Sequence, residues 1–158
     1  MAEGQRRAAG MAALVWGITL GFFTLAFAYG DVSGSQVTAP GDRTVVTILA
    51  LCHAAGGVAA AFLLKGLLGR DGLAGWVLAI VGAVLITLLG NLLGGAFSAL
   101  IGTLFGTGGL VVDIIRIAIG ALTVPFAIAD NPPLILVWLV ALVAGHLLVK
   151  RRRHVDLT

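Results

Sequence analysis

A few side chains capable of chemistry lie inside or beside the long apolar runs of this 158-residue chain. An ionisable or amide side chain at membrane depth is costly to insert, and it therefore marks a functional hypothesis. His53 lies near the middle of one apolar run, where it would serve as a haem ligand, a metal ligand or a proton relay. The alternative, which we favour, is a neutral imidazole hydrogen-bonded to a neighbouring helix.

His146 is the candidate partner for His53 in a haem site, because His154 falls in the C-terminal tail. His146 lies one helical turn before Lys150, whereas His53 lies about three turns before Lys65. At 1.5 Å per residue the two imidazoles would differ in depth by about 12 Å. One haem does not fit between them, and we predict neither a cofactor nor a metal site.

Asn91, Asp113 and Arg116 complete, with His53, the possible intramembrane polar site. The Asn91 amide would bond across helices, for roughly 0.6–2 kcal/mol, or contact a polar substrate. Asp113 and Arg116 share a helix face at a spacing of i and i+3 and would form an ion pair. That pair would fix the outer hydrophobic hairpin in place, or it would act as a gate for a substrate. No catalytic residues are predicted, because no Ser/His/Asp set, H-E-x-x-H motif or phosphate-binding glycine loop is present, and the chain does not read as an enzyme.

The composition places these residues in a membrane protein. The chain is 59% hydrophobic and 11% charged, with a mean hydropathy of +1.10, whereas soluble domains are about a quarter charged. Residues 72–112 carry no charged side chain. A hydrocarbon core takes about 20 helical residues to cross, so this run is about twice the length of one crossing. The sequence predicts a single all-α membrane domain over residues 1–158.

Four spans explain the apolar runs best, with a re-entrant or interfacial hydrophobic hairpin over residues 94–129; the alternative is five or six spans. The four predicted spans are approximately 11–29, 44–65, 73–93 and 133–149. The first run also resembles a signal peptide with an A-x-A site at Ala26–Ala28, although it is long for that role and we favour a retained helix.

The basic residues orient this bundle. With both termini in the cytoplasm, Arg6, Arg7, Lys65, Arg70 and residues 150–153 all lie inside, as the positive-inside rule requires. Making residues 110–128 a fifth crossing would put the basic tail outside. We therefore expect a multi-pass protein of the plasma (inner) membrane with cytoplasmic termini.

A glycine zipper occupies the uncharged run, with small residues at every fourth position. Its members are Gly90, Gly94, Ser98, Gly102 and Gly106. Such stripes let membrane helices approach closely, either within one chain or between chains. We predict a non-enzymatic accessory subunit, assembly factor or scaffold that uses this stripe as a helix-packing or oligomer interface. The alternative is a small oligomeric transporter or channel. The expected partners are the lipid bilayer and other membrane subunits or a second copy; nucleic acid is not expected.

Overall fold

Helices make up all the regular structure in the computed structural model, which describes residues 3–30 and 40–155. The five α-helices are α1 (Glu3–Tyr29), α2 (Pro40–Leu63), α3 (Gly72–Leu104), α4 (Leu110–Asp130) and α5 (Leu134–Val155), with a short 3-10 helix at Lys65–Leu67. All five α-helices are long and apolar enough to cross a membrane. The predicted all-α transmembrane helix bundle is confirmed, and the helix count agrees with the five-span alternative.

The third helix is longer than the predicted span of residues 73–93, because α3 continues without interruption to Leu104. Residues 94–129 are therefore not a separate hairpin: their first part extends α3, and the rest forms α4. Small residues do not end a helix in lipid when neighbouring helices pack against them. The three glycines within residues 106–109 predict a turn, and the chain does turn there between α3 and α4, with Gly106 at a left-handed φ of 69°. Residues 30–43 are hydrophilic and rich in turn-forming residues, which predicts a loop; most of this segment lies outside the described residues, and residues 40–43 begin α2.

Helices α1, α2 and α3 pack side by side in alternating directions, with glycine at the closest approaches. A Cβ atom built on Gly17 of α1 would lie 2.8 Å from the carbonyl oxygen of Ala54 in α2. One built on Gly90 of α3 would lie 3.1 Å from the Cα atom of Gly57 in α2. Because the backbones nearly touch, these helices gain the dispersion contacts that drive association in lipid.

The end of α5 returns to the turn between α2 and α3. The Lys150 ammonium lies 2.9 Å from the Asp71 carboxylate, and the backbone N–H of Gly69 donates to His146 Nδ1 at 3.2 Å. Ala12 of α1 belongs to the same apolar cluster as Leu68. The start of α1 and the end of α5 thus share one end of the bundle, which we call the α2–α3 end; the opposite one is the α3–α4 end.

Helix α4 packs against α3 along its first half and against α1 along its second half. Its first half runs antiparallel to α3, where a Cβ on Gly95 would lie 2.8 Å from the Cα atom of Ile117. Its second half follows the last turns of α1, and Phe126 stacks on Phe27 with ring centroids 6.2 Å apart. Both ends of α4 therefore lie near the α3–α4 end. Pro125 lies inside the helix, and an internal proline is the usual cause of a sharp change in helix direction.

Candidate functional site

The His53 side chain is enclosed by three helices at mid-depth in the bundle. It is only 1% exposed, and its Nδ1 atom lies 2.9 Å from the Leu49 carbonyl oxygen one turn earlier. Because a carbonyl only accepts hydrogen bonds, Nδ1 carries the proton in that contact. In the neutral imidazole, Nε2 is then an acceptor. Nε2 has no hydrogen-bond partner among the described residues.

Two glycines make room for this imidazole. A Cβ on Gly94 of α3 would lie 2.6 Å from the His53 Cα atom and 2.7 Å from its Cδ2 atom. A Cβ on Gly120 of α4 would lie 3.1 Å from His53 Nε2. The unpartnered nitrogen therefore faces the backbone of α4 at Gly120.

Asn91 lies beside the same point and is fully buried, at 0% exposure. A Cβ on Gly120 would lie 3.0 Å from the Asn91 backbone oxygen. Asn91 of α3 and His53 of α2 therefore both lie against α4 at Gly120. Within the part of the chain that the structure describes, neither the amide nitrogen nor the amide oxygen of Asn91 has a partner. A buried polar group without a hydrogen bond costs about 1–3 kcal/mol, so these atoms need an explanation.

Further polar groups extend from Asn91 towards the α2–α3 end. Thr87 lies one turn before Asn91 on the same face of α3, and its hydroxyl accepts a 2.8 Å hydrogen bond from the Trp138 indole of α5. Trp138 in turn packs edge-on against Trp16, with ring centroids 6.2 Å apart. The Trp16 indole nitrogen is buried and unpartnered among the described residues. We call His53, Asn91, Thr87, Trp138 and Trp16 the interior polar line.

The interior polar line contains no acidic side chain and no Lys or Arg. The buried polar side chains of the described residues are Thr19, Thr24, His53, Thr87, Asn91, Thr123 and His146, with no Asp, Glu, Lys or Arg among them. Nor do the described residues hold a group of three His, Cys, Asp or Glu side chains that would bind a metal ion. The geometry suits hydrogen bonding to a neutral group better than coordination of an ion.

His146 lies apart from His53, as their sequence positions predict. Its ring stacks on Trp76 with centroids 4.4 Å apart, and its Nδ1 atom accepts from the Gly69 backbone at the α2–α3 end. This histidine joins the end of α5 to the turn before α3. The two imidazoles are therefore not brought together.

The ion pair predicted from the spacing of Asp113 and Arg116 is present at the α3–α4 end, with a nitrogen–oxygen distance of 3.3 Å. Asp113 also accepts from the Gly109 backbone N–H at 3.3 Å, which caps the start of α4. Arg116 donates to the Thr107 carbonyl oxygen at 3.3 Å. The pair thus fastens the turn between α3 and α4, away from His53 and Asn91.

The zipper residues make several different contacts within the chain. Gly90 packs on α2 and Gly94 packs on His53, while a Cβ on Gly102 would collide with the Arg116 guanidinium. Ser98 lines a cavity near the α3–α4 end, and Gly106 forms the turn. Three members of the stripe are therefore occupied inside the fold, and the role of the whole stripe as an oligomer interface stays a prediction.

Sequence reasoning found His53 and Asn91 but missed the residues that surround them. Gly120 carries no signal other than being a glycine inside an apolar helix, and its contact with His53 joins distant parts of the chain. The Trp138–Thr87 hydrogen bond was equally unpredictable, because Trp and Thr are each common in membrane helices and nothing in the sequence pairs them. No family model, curated protein or solved structure matches this chain.

Proposed function

We propose that the protein lies in the plasma (inner) membrane with four crossings, α1, α2, α3 and α5, and with both termini in the cytoplasm. Helix α4 would enter from the outer side and return to it. Two contacts support this path: Asp113, near the start of α4, interacts with Thr103 at the end of α3, and Asp130 at the end of α4 touches Gly30 at the end of α1. The predicted basic residues of the inner side would then cluster at the α2–α3 end.

The position of α1 supports its retention in the mature protein. Trp16, Leu20 and Phe23 are each 0% exposed, and α1 contacts α2, α4 and α5. Cleavage of a signal peptide after Ala28 would remove this central element and expose the faces that it covers. We therefore keep residues 3–29 as the first crossing.

Cysteine labelling from the two sides of the membrane tests the path of α4. Cys52, the single cysteine, is first changed to alanine. One cysteine is then placed at Asn131, after α4, or at Gly109, before α4, where an added Cβ meets no atom within 4 Å. A re-entrant α4 predicts that an impermeant maleimide labels both positions from the outside. Labelling of the two positions from opposite sides would instead make α4 a fifth crossing.

For its activity, we propose that the chain is a small carrier or channel for uncharged, hydrogen-bonding solutes. The observation that carries this proposal is a pair of buried polar groups that have no hydrogen-bond partner among the described residues, His53 Nε2 and the Asn91 amide, both beside α4. Interrupted or re-entrant segments line the sites of many transporters, because their backbone and polar groups meet at mid-depth. Here His53 Nε2 would accept a hydrogen bond, and the Asn91 amide would both donate and accept.

Solute flux in proteoliposomes tests this activity. Purified protein is reconstituted, and vesicle swelling is followed by light scattering with urea, glycerol and formamide as probes. We expect faster entry of at least one probe than in protein-free vesicles, and loss of that increment in the Asn91→Leu variant. Equal rates in vesicles with and without protein, for all three probes, would refute the carrier proposal.

A second candidate is the accessory subunit or scaffold, and one observation favours it. The outward face of α2 carries the small residues Ala55 and Ala59, one turn apart, with Ala55 exposed. A partner helix or a second copy of the chain would pack closely there. This face replaces the zipper as the surface available to a partner, because Gly90, Gly94 and Gly102 are occupied within the chain.

Native gel electrophoresis of gently extracted protein tests the scaffold candidate. Ala55→Leu adds bulk to the outward face of α2, and overpacking costs about 1–3 kcal/mol. This is enough to weaken a modest association tenfold or more, so a higher-order band should be lost. Leu51→Ile, on the same exposed face, keeps volume and should preserve the band. An unchanged band in Ala55→Leu would remove α2 as the interface.

A further inference from the structure

A second site lies away from the interior polar line, at the α3–α4 end. A cavity of about 310 Å³ opens between the first turns of α2 and the last turns of α3. This volume is at the lower end of the range for pockets that hold small molecules. Its walls include Val45, Ile48 and Phe105, whose exposed fractions are 65%, 39% and 79%. Exposed apolar side chains therefore form part of the cavity wall.

The cavity combines apolar walls with one cation. Arg116 lies at its edge together with Thr107 from the α3–α4 turn. The guanidinium has five N–H donors, of which one contacts Asp113 and one contacts the Thr107 carbonyl oxygen. Among the described residues, its remaining donors have no further hydrogen-bond partner, so they are available to an acceptor. A planar guanidinium at the membrane boundary is well suited to a phosphate, because it offers two parallel N–H groups.

Gly102 allows this arrangement. A Cβ at this position would collide with the guanidinium, so glycine lets Arg116 lie flat against α3 at the edge of the cavity. Asp113 holds Arg116 from the other side at 3.3 Å. Because the Asp113 carboxylate also accepts from Gly109 and Thr103, it is anchored to the α3–α4 turn. The cation is thereby positioned by groups that lie outside the cavity.

We propose that this cavity binds a phospholipid, with the phosphate diester on Arg116 and one acyl chain along the apolar wall formed by α2 and α3. The distribution of charge favours this ligand. A phospholipid has its anionic phosphate at the membrane boundary and its acyl chains in the membrane core, and the cavity offers a cation for the phosphate and an apolar surface for an acyl chain. The site is independent of the proposed solute path, since neither His53 nor Asn91 lines it.

Native mass spectrometry of the purified full-length chain tests the site, with added dioleoyl phosphatidylglycerol, dioleoylglycerol and inorganic phosphate as probes. We expect phosphatidylglycerol to bind about tenfold more tightly than dioleoylglycerol, which lacks the phosphate, a difference that corresponds to about 1.4 kcal/mol. Inorganic phosphate alone should not bind, because it gains nothing from the apolar wall. Equal binding of the two lipids would overturn the proposal without any variant.

Three substitutions and one matched control then locate the binding. Arg116→Gln should reduce phosphatidylglycerol affinity about tenfold, and Asp113→Asn should keep or increase it, because more of the guanidinium is freed. Ser98→Phe should fill the cavity and block binding while leaving Arg116 intact, with Ser98→Ala as its matched control. Helical content by circular dichroism confirms that each variant is folded. Wild-type affinity in folded Arg116→Gln, or in folded Ser98→Phe, would exclude this site.

Discussion

Replacing Gly94 with alanine is expected to lower the free energy of unfolding by about 2–3 kcal/mol, the upper part of the range for overpacking a tight interface. The new Cβ atom would lie 2.6 Å from the His53 Cα atom. That neighbour is a backbone atom, so no side-chain rotation relieves the collision. Helices α2 and α3 would have to separate at mid-depth, where the close backbone approach of Gly57 and Gly90 would also be lost.

The matched control for Gly94 is Gly10, another glycine inside a helix. A Cβ built on Gly10 meets no atom within 4 Å. Alanine there should therefore stabilise α1 by about 0.5–1 kcal/mol, through the lower helix propensity of glycine alone. Thermal unfolding in one detergent, followed by circular dichroism, should shift in opposite directions for the two variants. A Gly94→Ala protein as stable as the wild type would show that α2 and α3 do not approach as closely as described.

The contacts of Gly94 also bear on the zipper. A stripe of small residues in sequence has the same appearance whether it faces a helix of its own chain or a partner. Only the fold distinguishes these cases: Gly94 faces His53 of α2, whereas Gly102 faces Arg116 of α4. Residues at the same four-residue spacing therefore pack against two different helices. A bulky residue at Gly94 or Gly102 is expected to disturb the packing within one chain before it affects any contact between chains.

The turns of this fold were predictable from sequence because they carry charge or special backbone geometry. Gly69 and Gly72 flank Arg70 and Asp71, and both glycines adopt positive φ values of 73° and 74°. Gly106 does the same between α3 and α4. The end of α3 was not predictable from hydropathy, since residues 94–104 are uncharged and continue the apolar run. Hydropathy reports only that a segment tolerates lipid, and the length of α3 depends on what packs against it.

Each polar residue of interest was predictable by itself. Which of them lie close together was predictable only for residues within one helix. Asp113 and Arg116 lie one helical turn apart, and helix geometry alone brings them together. His53, Asn91 and Gly120 come from three helices, and their proximity depends on α4 folding back into the bundle. No local periodicity encodes that path. Long-range contacts of this kind follow from packing, which a single sequence does not display.

Asn91→Leu is expected to make the protein more stable and less active at once. Leucine has the same number of side-chain heavy atoms and the same branching as asparagine but has no polar atoms. Because both amide atoms of Asn91 are buried without partners among the described residues, the variant removes a cost of about 1–3 kcal/mol. The unfolding temperature should therefore rise. The same change removes the donor and acceptor that a solute would use, so the flux measured in proteoliposomes should fall to that of protein-free vesicles.

Thr87→Val provides the contrasting variant, because it is nearly isosteric and lies one turn earlier on the same face of α3. The Thr87 hydroxyl accepts the Trp138 indole N–H at 2.8 Å, so valine would leave this partly buried donor unpaired and destabilise the fold by about 1 kcal/mol. Opposite stability changes in the two variants would mark Asn91 as a residue kept for a ligand at a cost to stability. If Asn91→Leu is instead destabilised like Thr87→Val, then the amide is a structural group with a partner in the native protein. In that case His53 alone would not sustain the solute site, and the carrier proposal would fail with it.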